Sequence, residues 1–285
     1  MSFDNSKIST QEATKILYAN YDIEGSVIEL DGEIDFNFKV NSVDGKNYLL
    51  KISRSGFNSE YIDFQIKLLD HLNKNCEIEI AGNELTVDGE KSCIIKDNLG
   101  KERSVRLLSW IEGRLWSSAN PINKSLRNDL GSKTAMISKS LTNFSHSFSK
   151  RKIEWDISNS LWVEDYIEKF EVGEKKIIKE FIKDFKAGLP IFNKLKKSII
   201  HNDINDNNII ISNDLLNPKI ESIIDFGDSV FTQTINDLAI TCSYGIMNLN
   251  DPLSACCDIV NGYNAVSKIS DDELKILFNL VSMRL

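Results

Sequence analysis

The run His201-Asn202-Asp203-Ile204-Asn205-Asp206-Asn207-Asn208 sets a carboxylate, Asp203, five positions before an amide, Asn208. Asp225-Phe226-Gly227-Asp228 sets a second carboxylate at the end of an apolar run, 22 residues after Asp203. Phosphoryl transfer from a nucleoside triphosphate needs this set: one acid to accept a hydroxyl proton, and two oxygen ligands for the metal on the phosphates. Asp203 is the candidate base, a role worth roughly 10²–10⁴ in rate. Asn208 and Asp225 are candidate ligands of Mg²⁺, which takes hard oxygen donors and leaves its other positions to phosphates and water. Gly227 lets the chain turn sharply after the metal ligand. His201 reads as a brace for the loop, not a nucleophile. Asn/Asp-rich octets also form ordinary turns, and D-F-G arises by chance. The conjunction of the two motifs between apolar strands favours chemistry.

These residues need strands to hold them. Ser198-Ile199-Ile200, Ile209-Ile210-Ile211 and residues 220–224 read as short strands, so Asn208 opens one arm of a hairpin and Asp225 closes the other. Upstream, residues 27–40 read as two strands joined by a turn at Asp31-Gly32, and 47–53 as a third. Residues 58–73 are helical by the spacing of Tyr61, Phe64, Leu68 and Leu72. Two short strands are expected over 76–96, with a turn at Val87-Asp88-Gly89-Glu90, and another over 106–111. Residues 123–147 and 160–187 are expected to be helical, with Gly188 and Pro190 stopping the second. Helices resume from Asn236, and Ser270-x-x-Glu273 caps the last of them. The fold class is α+β, with a β-rich part over 1–112 and a mainly helical part over 113–285.

The chain has 285 residues, 41% of them apolar, enough for a sizeable core. No run approaches a membrane span, and the polar start over residues 1–10 contains no signal core, so the expectation is a cytoplasmic protein. Five cysteines without C-x-x-C spacing read as reduced thiols, and three histidines (His71, His146, His201) make a structural zinc site improbable. The net charge is −8. Residues 1–200 carry 30 basic and 30 acidic side chains, whereas residues 201–285 carry 4 basic and 12 acidic. That excess around the candidate site argues against nucleic acid as a partner and suits a small cationic hydroxylated substrate, or is a plain solvated face.

The chain resembles the aminoglycoside phosphotransferase and choline kinase superfamily, closest to its hydroxylysine kinase-like branch. The resemblance runs from about Ile23 onward. It rests on residues 32–38, Tyr48-Leu49-Leu50-Lys51-Ile52, Trp155-Asp156, the octet from His201, residues 224–228 and residues 234–240. It implies a protein-kinase-like bilobal fold: a nucleotide-binding lobe over 1–112 and a catalytic, acceptor-binding lobe over 113–285. It implies that Lys51 contacts the α- and β-phosphates of ATP or GTP, with Gln65 at the position where a helix Glu usually pairs with that lysine. The turn from Asp31 to Phe36 would cover the phosphates, and the strand end containing Ser109 and Ile111 would meet the nucleobase. Asp237 would buttress the catalytic loop, Trp155-Asp156 would border the acceptor, and Asp228 would face the acceptor or a second metal. Members of the branch extend further, which implies a fragment or a shortened member here.

The activity implied is a kinase for a hydroxylated amine or amino acid: hydroxylysine, homoserine, ethanolamine, choline or an aminoglycoside. A catalytically weak nucleotide or metabolite regulator of the same fold is the alternative. A protein kinase is disfavoured by the single-glycine turn and the lack of an A-P-E-like segment after Asp228. Neither G-x-x-x-x-G-K-[ST] nor G-x-G-x-x-G occurs. The oligomeric state is left open.

Overall fold

A computed structural model describes residues 7–32 and 34–285 of the protein. Most of the polar start over residues 1–10, and Glu33 of the Asp31–Phe36 turn, lie outside the described residues. Two compact units form, one drawn from Met1–Asn73 and Ala81–Ile111, the other from Lys74–Ile80 and Glu112–Leu285. Among the described residues no helix is long and apolar enough to cross a membrane.

The first unit is built on a five-stranded antiparallel sheet in the order β1-β2-β3-β5-β4, from β1 (Gly25–Leu30), β2 (Asp35–Ser42), β3 (Asn47–Ser53), β4 (Cys93–Lys96) and β5 (Glu102–Ser109). Period-two alternation sends Phe36, Phe38, Val40, Tyr48, Leu50, Ile52, Val105 and Leu107 to one buried face. Helix α1 (Thr10–Tyr21), with Ser9 as N-cap accepting from the Glu12 amide, closes that core with Ala13, Ile16, Leu17 and Tyr21. The sequence reading contained no such helix. The other face carries Asp35, Asn37, Lys51 and Arg106, with Lys51 opposite both Asn37 and Arg106 in the ladders. Helix α2 (Ser59–Asn75) follows β3. Of the two strands expected over 76–96, only β4 forms. The first is reduced to a bridge between Asn83 and Leu108, because the Asn83 amide turns to the Ile66 carbonyl and Asp70 of α2. The turn at residues 86–90 does form, with Gly89 at φ 82°, left-handed backbone that glycine adopts without strain.

The second unit contains α3 (Lys124–Leu141), α4 (Val172–Phe192), α5 (Ile235–Gly245), α6 (Pro252–Val266) and α7 (Asp271–Arg284). Strands β6 (Arg114–Leu115), β8 (Ile209–Ile211) and β9 (Ile220–Ile223) make one small sheet, while β7 (Lys197–Ile200) pairs with β10 (Val230–Gln233). Helix α3 stops at Leu141, short of the expected 147, and residues 147–150 form a separate 3-10 turn. Residues 157–169 are 3-10 rather than α-helical, and α4 starts at Val172, after Glu174 reaches back to the Glu171 amide. Pro190 does not stop α4, which continues to Phe192. In the last turn its missing N–H removes only one helical bond. Helices α3 and α6 cross at two glycines: a Cβ on Gly131 would sit 1.9 Å from the Ile259 carbonyl oxygen, and one on Gly262 would sit 1.9 Å from that of Asn128.

Candidate active site

The hairpin β8–β9 fixes the geometry. Ile209 pairs with Ile223, and one step further out the Ile224 amide donates to the Asn208 carbonyl at 2.8 Å. Asn208 thus opens one arm and Asp225 leaves the other immediately after that bond. Asp225 adopts φ 63° and accepts from the Gly227 amide at 3.3 Å, which starts a short 3-10 turn over Phe226–Asp228.

The loop ahead of the hairpin is held from three sides. Asp237, fully buried in the first turn of α5, accepts from the His201 amide at 2.9 Å and the Asn202 amide at 2.8 Å. This is the buttress expected of it. Burial raises the Asp237 carboxyl, and the two loop amides that donate to it oppose that rise. His201 Nδ1 accepts from the Asp203 amide at 3.2 Å, and its Nε2 donates to the Ile224 carbonyl at 2.9 Å. A carbonyl can only accept, so Nε2 carries the proton. The ring also packs against Phe226 in a tilted contact, 4.5 Å between centroids. Asn202 sits at φ 69°, a left-handed conformation that asparagine tolerates.

The Asp203 carboxylate is engaged on both oxygens. Oδ2 accepts from Asn205 Nδ2 at 2.9 Å and Asn208 Nδ2 at 3.1 Å, while Oδ1 accepts from Arg284 Nη2 at 2.9 Å. Asn208 Nδ2 also donates to the Asp203 carbonyl at 2.9 Å. The Asn208 amide protons therefore face Asp203, and among the described residues its Oδ1 accepts no hydrogen bond. Burial pushes the Asp228 carboxyl up to about 6, and the nearby Asp203 and Asp225 carboxylates add to the rise. Among the described residues no group of three or more His, Cys, Asp or Glu is placed to hold a metal. The set here is instead one oriented amide oxygen and one carboxylate, which fits an ion that keeps phosphate and water ligands.

Asp156 is buried and accepts from the Ser158 amide, Thr232 Oγ1 and Asn236 Nδ2, which makes it a structural hub. Trp155 is half exposed, and its carbonyl accepts from Arg284 Nη1 at 2.8 Å. Arg284 and Asn205 are the site residues that sequence reasoning missed. Asn205 lay inside the octet. Arg284 is one of four bases in the last 85 residues and reads simply as the end of a helix.

In the first unit Lys51 pairs with Asp35 at 3.7 Å, and Asp35 also accepts from Arg106 at 3.2 Å. Gln65, at the position where a helix Glu usually pairs with that lysine, makes no hydrogen bond to Lys51. Gln65 Nε2 donates to Tyr61 Oη at 2.7 Å, and its Oε1 is buried without a partner. Ser109 exchanges bonds with Gly82, donating through its amide at 2.9 Å and accepting through Oγ at 2.8 Å. Ile111 is buried just beyond β5.

Comparison with known proteins adds a decisive observation: the model of the phosphotransferase enzyme family (APH) matches residues 26–255. The chain belongs to this family. It is 28% identical over 302 aligned positions to a hydroxylysine kinase of Xenopus laevis, covering 97% of this chain and 80% of that protein. Among solved structures, a microcompartment-associated aminopropanol kinase superposes with a TM-score of 0.76 at 16% identity, over 97% of this chain and 86% of the other. An amicoumacin kinase in complex with AMP-PNP, Ca²⁺ and Ami gives 0.73 at 18% identity, over 96% and 83%. The phosphotransferase has the kinase-like fold, and it is a small-molecule kinase that acts on hydroxyl groups.

Proposed function

We propose that the protein transfers the γ-phosphoryl group of ATP or GTP, in the presence of Mg²⁺, to a hydroxyl of a small amine or amino acid, with 5-hydroxylysine the first acceptor to try. The observation that carries this reading is the Asp203 carboxylate: oriented by two amides on Oδ2, it shares a loop with an Asn208 whose oxygen is left open and whose carbonyl accepts from the amide of Ile224, the residue before Asp225. Asp203 accepts the proton of the acceptor hydroxyl as the new O–P bond forms and the bond to the nucleoside diphosphate breaks. Asn208 and Asp225 hold Mg²⁺, which when bound neutralises charge on the phosphates. In this reading residues 1–112 form the nucleotide-binding lobe. Lys51 contacts the α- and β-phosphates with Asp35, not Gln65, as its paired side chain, and the Ser109–Ile111 stretch takes the nucleobase. Residues 113–285 supply the base and the acceptor site, whose acidic surroundings favour a cationic compound.

The test is a screen of hydroxylated amines and amino acids with ATP and with GTP, read as nucleoside diphosphate release. Acceptor-dependent release with 5-hydroxylysine or a related amino alcohol is expected. Nucleotide binding without release on any acceptor would replace this reading with that of a regulator.

A further inference from the structure

Arg284, in the last turn of α7, approaches the candidate base from 81 positions away in sequence. Its guanidinium is organised as part of a site. Nη2 donates to Asp203 Oδ1 at 2.9 Å and to Tyr244 Oη at 3.4 Å, Nη1 donates to the Trp155 carbonyl at 2.8 Å, and the group lies 5.5 Å from the Tyr244 ring centroid. Only 9% of the side chain is exposed. A basic residue at a helix C-terminus ordinarily answers the helix's own carbonyls. This one turns away from them towards Asp203, and among the described residues it is the single cation bonded to that carboxylate. Helix α7 is itself anchored, with Ile276, Leu277, Leu280 and Val281 buried and the Val281 carbonyl accepting from Ser243 Oγ of α5 at 3.0 Å. The guanidinium is therefore presented from a rigid element.

We propose that Arg284 is a positioning residue for the transfer: by holding Asp203 Oδ1 it fixes the plane of the carboxylate and makes Oδ1 the oxygen that meets the acceptor hydroxyl. Oδ2 already accepts two hydrogen bonds and is saturated, whereas Oδ1 accepts one and has a lone pair left. Without Arg284 only the Oδ2 amides restrain the carboxylate, and it can swing about its χ2 axis. Misplacement of a reacting group on the scale of 1 Å costs on the order of 100-fold in rate. The inference rests on Asp203 being the base, so the test examines both residues together.

The experiment compares wild type, Arg284→Ala, Arg284→Lys, Asp203→Asn and the Asp203→Asn/Arg284→Ala double variant. The acceptors are 5-hydroxylysine and, separately, water, the latter read as slow nucleotide hydrolysis. Expected for Arg284→Ala is a fall in kcat of roughly 10- to 100-fold with the KM for nucleotide within about 3-fold, because position rather than binding is lost. Added guanidinium ion should restore part of the rate, Arg284→Lys should keep more of it than Arg284→Ala, and Arg284→Ala should add little on top of Asp203→Asn. Wild-type kcat in Arg284→Ala overturns the proposal. So does a loss that guanidinium leaves unchanged and that tracks a lowered unfolding midpoint, or a full additive loss in the double variant. Wild-type turnover in Asp203→Asn instead sinks the base assignment, and a wild-type protein active on neither acceptor removes both.

Discussion

His201 donates from Nε2 to the carbonyl of Ile224 at 2.9 Å, so one imidazole joins the loop that carries the candidate base to the residue just before the candidate metal ligand. The same ring takes the Asp203 amide on Nδ1. His201→Ala removes both bonds and the tilted ring contact with Phe226. It leaves the part-buried Ile224 carbonyl without its donor, a cost of about 1 kcal/mol. The expected result is a fall in kcat together with a lower denaturation midpoint. His201→Gln, able to donate to Ile224, should recover stability more than rate. Steady-state kinetics and urea unfolding on the same preparations check this.

Asp203→Asn should leave Mg-nucleotide binding close to wild type while turnover falls at least roughly 100-fold, the scale of lost base catalysis. The amide also places a donor opposite Arg284, Asn205 or Asn208, all of which now donate to the carboxylate. Calorimetric titration with nucleotide and Mg²⁺, set beside kcat, separates the two effects.

Asp225→Ala should abolish the Mg²⁺ dependence of nucleotide binding, because the remaining ligand, Asn208 Oδ1, is neutral and alone. Titrating Mg²⁺ at fixed nucleotide tests it, and an unchanged dependence sinks the ligand assignment.

Asp35 holds Arg106 at 3.2 Å and Lys51 at 3.7 Å on the polar face of the first sheet, with Arg106 and Asp35 nearly buried. Asp35→Ala leaves the Arg106 charge buried and unpaired, which is expected to cost about 3–5 kcal/mol. Adding Arg106→Met should recover much of that loss, since replacing both members of a buried pair with apolar groups is often neutral. Urea unfolding of the two variants tests the coupling.

The candidate loop was legible because its parts are local. A carboxylate and an amide five positions apart, with β-branched runs on either side, need no long-range information to be placed on a hairpin. Asp237 was legible through the superfamily resemblance, and its two bonds to the loop amides match that reading. Arg284 was not, since a lone arginine in the last turn of a helix has a sufficient explanation in the helix dipole. The partner of Lys51 was missed for a related reason. Asp35 lies opposite Ser53, which puts it diagonally across from Lys51 on one face, and that relation exists only once the register is fixed. Helix α1 was overlooked in a polar start although Ala13, Ile16, Leu17 and Tyr21 recur at helical spacing behind the Ser9 cap. Pro190 misled because a proline ends a helix from its interior but is tolerated where few bonds remain downstream.

The crossing of α3 and α6 yields the last prediction. Gly262 would place a Cβ 1.9 Å from the Asn128 carbonyl oxygen, and Gly131 would do the same against Ile259. Both obstacles are backbone, so no rotamer change relieves them and the helices must move apart. Around this crossing Arg127 pairs with Asp258 at 2.8 Å, Ser132 Oγ donates to the Gly262 carbonyl at 3.1 Å, and Asn128 Nδ2 donates to the Asp258 carbonyl at 3.3 Å. Separation of the helices stretches all three together. Alanine at an exposed helical glycine would gain roughly 0.5–1 kcal/mol. Here overpacking reverses the sign, and Gly262→Ala is expected to destabilise by about 1–3 kcal/mol or more. Thermal and urea unfolding should show the loss, with Gly173→Ala in α4, whose Cβ meets nothing within 4 Å, as the control that does not destabilise. Equal stability of the two variants would mean that α3 and α6 do not approach this closely.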